Sequence, residues 1–231
     1  MKHWGIAIDG PSGAGKSTLA KRLAQELGFL YVDTGAIYRT VGLAALRRGI
    51  DAADGPAVTA MLPELVITIG YGEDGLQHMA LNGEDVTAEI RRNEVSACAS
   101  KAASIPAVRS FLLGMQRQLA RENSVIMDGR DIGTVVLPQA DLKIFLTAAP
   151  EERARRRWEE LRERGQQVEL DQVLAEVVER DKRDRSRQTA PLRRAEDAVL
   201  ADTTGLDLEE SFQLLLGLVR GRIGCVKGEQ G

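Results

Sequence analysis

Short apolar runs recur along the chain, and most of them lack the polar alternation of a half-exposed strand. Such runs are typical of parallel strands that are buried on both faces. The predicted strands cover residues 4–9, 29–32, 124–128, 142–147 and 198–201. The predicted helices cover residues 16–27, 34–48, 94–103, 107–121, 150–164, 170–187 and 207–222. Strands that alternate with helices predict an α/β fold.

One segment interrupts this alternation. Residues 65–69 and 77–81 have strand character, and Asn82-Gly83 between the second run and residues 84–87 is the strongest hairpin signal in the chain. The pattern predicts a small antiparallel meander inserted between helical regions. It does not decide whether the insertion recognises a substrate or only decorates the fold.

Residues 10–18 match the pattern G-x-x-x-x-G-K-[ST] between a predicted strand and a predicted helix. Glycines let successive N–H groups point at an anion, and the helix N-terminus adds its dipole. Lys16 can reach the outer phosphates, and the Ser17 hydroxyl can ligate Mg²⁺. The segment therefore predicts nucleoside triphosphate binding by Gly10, Pro11, Ser12, Gly13, Ala14, Gly15, Lys16, Ser17 and Thr18.

A second polar segment, Asp128-Gly-Arg-Asp131, follows an apolar strand. Loops at the carboxyl ends of such strands are where ligands bind. Asp128 can lie near Mg²⁺, Arg130 can bind an acceptor phosphate, and Asp131 can bind a sugar hydroxyl or a base amino group. The alternative interpretation is a charged β-turn.

A third polar segment, Asp33-Thr-Gly-Ala-Ile-Tyr-Arg39, follows the second strand. Asp33 or Thr34 caps the next helix, and Arg39 can bind a second phosphate near the helix start. Capping alone is the alternative. Ser100 and Arg109 flank a predicted helix-to-helix corner, and alone they would be unremarkable.

Residues 151–187 are rich in arginine and have few apolar positions. Arg180, Arg183 and Arg187 share one helix face by their spacing, and Asp181 and Asp184 lie between them. The plain interpretation is a pair of solvated helices with i,i+4 ion pairs. We favour a mobile lid that closes arginines over phosphates.

Composition limits the class of protein. The 231 residues suit one domain, and 43% of them are hydrophobic. Only 4% are aromatic and the net charge is −3, which argues against a nucleic-acid binder. The two cysteines do not make a disulfide framework. Since no signal segment or apolar membrane span is evident, we expect a cytoplasmic protein that does not bind membranes.

The phosphate loop, Asp33–Arg39, Asp128–Thr134 and Glu179–Arg187 motifs occur in this order in bacterial cytidylate kinases, which the chain resembles over roughly residues 5 to 220. The resemblance implies a P-loop-type three-layer α/β/α fold with a five-stranded parallel sheet, an inserted antiparallel hairpin or meander and a helical lid. It implies one nucleoside monophosphate kinase domain over residues 1–226. This domain includes a monophosphate-binding region at 34–121, with the β insertion at 64–92, and a lid at 151–187. Residues 227–231 would form a tail.

The resemblance further implies direct transfer of the γ-phosphoryl group from Mg²⁺-bound ATP to CMP or dCMP. Arg109 and Arg130 match positions that hold the acceptor phosphate, and Ser100 and Asp131 match positions that read cytosine and ribose. Thr34 stands where the family often has Ser. The expected substrate-binding residues are Asp33, Thr34, Arg39, Ser100, Arg109, Arg130, Asp131, Arg180 and Arg187. The expected catalytic residues are Lys16, Arg130, Arg180 and Arg187, and the expected metal ligands are Ser17 and Asp128.

Two other functions stay open on the sequence. One is a kinase for another acceptor, such as UMP, AMP or a small metabolite like shikimate. The other is a nucleotide-dependent switch, although the chain has no Asn-Lys-x-Asp element for reading guanine. The expected partners are ATP and CMP or dCMP, bound by a monomer.

Overall fold

The computed structural model describes residues 2–228 except residues 74 and 164. The strands are β1 (Gly5–Asp9), β2 (Leu30–Asp33), β3 (Ile67–Tyr71), β4 (Gln77–Leu81), β5 (Glu84–Asp85), β6 (Val125–Gly129), β7 (Leu142–Thr147) and β8 (Val199–Asp202). The α-helices are α1 (Lys16–Leu27), α2 (Thr34–Arg47), α3 (Gly55–Met61), α4 (Asn93–Ala102), α5 (Pro106–Glu122), α6 (Pro150–Glu163), α7 (Leu170–Ser186) and α8 (Leu208–Gly228).

Five parallel strands form the central sheet in the order β2-β6-β1-β7-β8. Side chains of β1 alternate between two cores, as the period of a strand requires. Ile6 and Ile8 pack into the core that α1 and α8 cover, and Ala7 packs into the core on the opposite face, with α2 and α5. Helices on both faces confirm the predicted three-layer α/β/α architecture.

The carboxyl ends of three neighbouring strands bring the polar segments together. Strand β6 lies between β2 and β1, and its register places Asp33 beside Asp128 and Asp9 beside Gly129. The phosphate loop and the segments after β2 and β6 therefore leave the sheet at one edge.

The predicted insertion is a three-stranded antiparallel sheet in the order β3-β4-β5. Asn82 and Gly83 have φ angles of 51° and 85°, which a tight hairpin turn of this hand requires. Strand β5 ends at Asp85 and is shorter than expected. Helix α3 was not predicted, because its seven residues begin with Gly-Pro, a turn signal, although the Asp54 side chain caps its start.

The charged segment forms an antiparallel pair of helices, α6 and α7, with a small apolar cluster between them. Ala154, Leu161, Val173 and Val177 are buried there, and Trp158 packs against them. Helix α8 continues through Gly228, six residues beyond the predicted end. The last three residues of the expected tail, 229–231, lie outside the described residues. Among the described helices, none is both long and apolar enough to cross a membrane.

Candidate active site

Glycines shape the loop between β1 and α1 through close contacts. Gly10 has a φ of 155°, and a Cβ there would lie 1.9 Å from the carbonyl oxygen of Leu146. Gly13 has a φ of 76°, and a Cβ there would lie 3.0 Å from the carbonyl oxygen of Arg153. Side chains at these positions would push the loop away from β7 and α6. The loop therefore keeps its tight path only with glycine.

Lys16, at the start of α1, is 6% exposed and its Nζ donates to the carbonyl of Pro11 at 2.7 Å. Burial, and then the nearby positive charge of Arg130, lower the pKa of its ammonium well below the usual range. Within the described chain, no carboxylate forms a salt bridge with this ammonium. An anionic ligand in the loop would supply the missing negative charge.

Asp128, buried near the end of β6, accepts hydrogen bonds from three hydroxyl groups. Its Oδ2 accepts from Ser17 at 2.8 Å, and its Oδ1 accepts from Tyr31 at 2.9 Å. Thr34 donates to the backbone carbonyl of the same residue at 2.6 Å. Burial raises the pKa of Asp128, and Asp33 raises it further. The Ser17 hydroxyl and the Asp128 carboxylate are hard oxygen donors, a set that suits Mg²⁺.

Asp33 organises the start of α2. Its Oδ1 accepts from the backbone N–H of Ala36 at 2.8 Å and so caps the helix. Its Oδ2 accepts from Arg39 at 2.8 Å. The Nε of Arg39 is buried and has no hydrogen-bond partner among the described residues. The structure therefore shows the capping role of Asp33, and phosphate binding by Arg39 stays a prediction.

Arg109 on α5 forms a buried pair with Asp131. The guanidinium donates to the Asp131 carboxylate and, at 3.2 Å, to the carbonyl of Ala103. The ring of Tyr38 lies 5.6 Å from the guanidinium carbon of Arg109. Burial raises the pKa of Asp131, and the charge of Arg109 opposes that rise. The pair brings α2, α5 and the loop after β6 to one place.

Asp184 on α7 pairs with two arginines of the site. Arg130 donates to its Oδ2 at 2.8 Å, and Arg187 lies 2.6 Å from its Oδ1. Although burial opposes it, the charges of these arginines hold the pKa of Asp184 below its usual value. Arg187 also donates to the backbone carbonyl of Ser100 at 3.5 Å, which connects α7 to α4.

Arg180, one turn before Asp184, has a buried Nε with no hydrogen-bond partner in the part of the chain that the structure describes. Burial, and then the charge of Arg130, lower its pKa to about 10. Arg183, which its spacing grouped with Arg180 and Arg187, instead lies in solvent at 3.9 Å from Glu179. The prediction is wrong for Arg183, because the inward face of α7 continues from Val173 and Val177 to Asp181 and Asp184.

One buried carboxylate, Asp9, and one buried arginine, Arg153, were missed from the sequence. Arg153 pairs with Asp181 between α6 and α7 and donates to the carbonyl of Ser12 in the phosphate loop at 3.0 Å. Asp9 accepts backbone N–H groups of Ile132 and Gly133, and burial raises its pKa to about 6. Asp9 could have been found as a charge ending an apolar strand. Arg153 is one arginine in a run of them, so no local signal singles it out.

Comparison with known proteins shows the family and the fold. The family model described as cytidylate kinase matches residues 6–220. The chain is 51% identical over 218 residues to a cytidylate kinase of Caldicellulosiruptor bescii, covering 94% of this chain and 96% of that protein. It is 49% identical over 223 residues to a cytidylate kinase of Geobacter sulfurreducens, covering 96% and 95%. A gluconokinase from Sinorhizobium meliloti aligns with a TM-score of 0.50 and 16% identity over 97% of each chain, which shows a shared fold.

Proposed function

Since the chain belongs to the cytidylate kinase family, we propose that it transfers the γ-phosphoryl group of ATP to CMP or dCMP, giving ADP and CDP or dCDP. The observation that carries the proposal is a group of cations, buried or with a buried nitrogen atom, at the end of the sheet where the phosphate loop begins. Lys16 lies on the loop side, and Arg39 and Arg180 keep unpaired Nε donors near the acceptor motifs. Two nucleotides whose phosphates meet between these groups would neutralise them.

On the donor side, the loop N–H groups and the N-terminus of α1 bind the triphosphate. Lys16 contacts the outer phosphates and stabilises the charge that grows on them during transfer. Ser17 and Asp128 would hold Mg²⁺, which neutralises phosphate charge when bound. A bound phosphate would raise the pKa of Lys16, which burial lowers, and would favour its charged form.

On the acceptor side, Arg39, Arg109 and Arg130 bind the phosphate of CMP, and Ser100 and Asp131 contact cytosine and ribose. Arg180 and Arg187 reach from α7 towards the transferred group. Phosphoryl transfer needs alignment and positive charge rather than covalent help, and these residues supply both. A lid that closes α6 and α7 over the site would also exclude water from it.

The test is a coupled assay of ADP release with CMP, dCMP, UMP, AMP and shikimate as acceptors. CMP or dCMP should give the highest kcat/KM, and a higher value for any other acceptor would contradict the proposed specificity. Lys16→Ala should lower kcat by about 10²–10³-fold, by analogy with the loss of one preorganised donor. Lys2→Ala is the matched control, because Lys2 pairs with Asp141 at the amino ends of the strands, opposite the phosphate loop.

A further inference from the structure

The insertion is attached to the central sheet at one point that bears on the acceptor side. Strand β2 is an edge strand, so one side of its backbone has no neighbouring strand in that sheet. The Gln77 side chain, from β4, lies on this open side and forms hydrogen bonds with the β2 backbone. Its Oε1 accepts from the N–H of Asp33 at 2.8 Å, and its Nε2 donates to the carbonyl of Asp33 at 3.2 Å.

These two hydrogen bonds fix one residue, Asp33, through both its N–H and its carbonyl. An amide that accepts from and donates to the backbone of the same residue holds that residue as a neighbouring strand would. Gln77 is 7% exposed and Asp33 is 5% exposed, so both bonds are shielded from water. Loss of the amide would leave a buried N–H and a buried carbonyl without these partners.

The position of Asp33 in turn affects the orientation of Arg39. The carboxylate that caps α2 also accepts from Arg39, whose Nε has no partner among the described residues. Arg91, near the end of the insertion, comes within 3.4 Å of the same carboxylate oxygen. A shift of the Asp33 backbone would therefore change the direction in which Arg39 points its free donor.

We propose that Gln77 is a positioning residue for the acceptor phosphate: it holds the Asp33 backbone so that Asp33 orients Arg39. This rests on the proposed function, in which Arg39 binds the phosphate of CMP. It gives the insertion a defined part in the acceptor site, although the insertion is distant from the phosphate loop along the chain.

The test is Gln77→Leu, which removes both hydrogen bonds at nearly constant volume. KM for CMP should rise about five- to tenfold, the range expected from one or two lost hydrogen bonds, while kcat and KM for ATP change less than about twofold. Urea unfolding establishes that the variant is folded. Should Gln77→Leu not fold, Gln77→Glu keeps the acceptor, loses the donor and should raise KM for CMP in the same way.

Tyr71→Phe is the matched control, because Tyr71 attaches the insertion to the same strand two residues earlier. Its hydroxyl donates to the carbonyl of Tyr31 at 3.0 Å and does not contact Asp33. Tyr71→Phe should leave KM for CMP unchanged within about twofold. An equal rise in both variants would mean that docking of the insertion matters in general, and the role given to Gln77 would be wrong.

A double-mutant cycle with Arg39→Met tests the route of the effect. If Gln77 acts through Arg39, then Gln77→Leu should change KM for CMP by less than about twofold once the guanidinium is gone. Additive effects, an unchanged KM for CMP in Gln77→Leu, or parallel rises in both Michaelis constants would overturn the inference. Wild-type protein that does not phosphorylate CMP at all would overturn the proposed function itself.

Discussion

Arg153 and Arg180 belong to the same charged helix pair, yet their surroundings differ completely. Arg153 is 2% exposed, and its guanidinium donates to the carbonyls of Ala148 and Ser12 and to both oxygens of Asp181. Arg180 also has its Nε buried, but this atom has no hydrogen-bond partner among the described residues. Its nearest charges include other arginines, and its pKa falls to about 10.

From this difference we infer that Arg153 stabilises the fold, and we expect Arg180 to be available to an anionic ligand. A guanidinium with its donors occupied has little left for a phosphate, and it fixes the elements it joins. A buried guanidinium with a free donor costs stability until an anion arrives. Arg153 joins α6 and α7 to the phosphate loop, and we expect Arg180, on the same helix pair, to bind a phosphate.

The largest effect is expected from Arg153→Met. It leaves Asp181 buried without its partner, which costs about 3–5 kcal/mol of unfolding free energy in comparable buried pairs. Urea unfolding followed by tryptophan fluorescence, to which Trp158 on α6 contributes, measures the loss. A loss of unfolding free energy below about 1 kcal/mol is typical of exposed ion pairs, and it would remove the distinction between Arg153 and Arg180.

Arg153→Met with Asp181→Leu is the control for an unpaired charge. Removing both partners leaves no isolated carboxylate, so the double variant should recover a large part of the lost stability. Recovery should be incomplete, because the carbonyls of Ser12 and Ala148 still lose their donor. A double variant less stable than Arg153→Met would show that the carboxylate is not the source of the cost.

Arg180→Met should have the opposite profile. We expect kcat to fall by about 10²–10³-fold, as for one lost preorganised donor, with the unfolding free energy unchanged or raised. Stability does not fall because the change removes a buried charge whose ionised form the site already disfavours. Initial rates of ADP release and urea unfolding on the same preparation test both parts.

Arg180→Lys is the matched variant, because it keeps the positive charge but lacks the planar set of guanidinium donors. It should retain more turnover than Arg180→Met but less than the wild type, because a point charge aligns a phosphate less well. Should Arg180→Met unfold as easily as Arg153→Met, the free Nε would have a structural rather than a ligand-binding role.

Much of this arrangement could be predicted from the sequence. The phosphate loop is recognised by its glycines and flanks, and the acidic ends of β2 and β6 follow from apolar runs that stop at Asp33 and Asp128. The pair Asn82-Gly83 predicted the hairpin, because few residue pairs tolerate positive φ at both positions. Each of these signals is local.

The parts that could not be predicted depend on contacts across long sequence separations. Gln77 lies 44 positions from Asp33, and Arg153 lies 141 positions from Ser12. Nothing in its immediate neighbours distinguishes Arg153 from Arg155, although one is buried and the other is 52% exposed. The spacing argument failed for Arg183 because it grouped the arginines by their own positions. The apolar positions Val173 and Val177 define the inward face, which continues to Asp181 and Asp184.

The smallest effect is expected from Arg155→Gln, which completes the series with an arginine that is paired but exposed. Arg155 contacts Glu152 at 2.7 Å and Glu159 at 2.9 Å on the outer face of α6. Solvent and salt screen such pairs, so neither the urea midpoint nor kcat should change beyond experimental error. A clear loss of kcat would mean that the outer face of α6 takes part in the reaction, and that burial does not separate the arginines of this segment by role. A clear loss of stability alone would mean that pairing counts on this helix whether or not water reaches the pair.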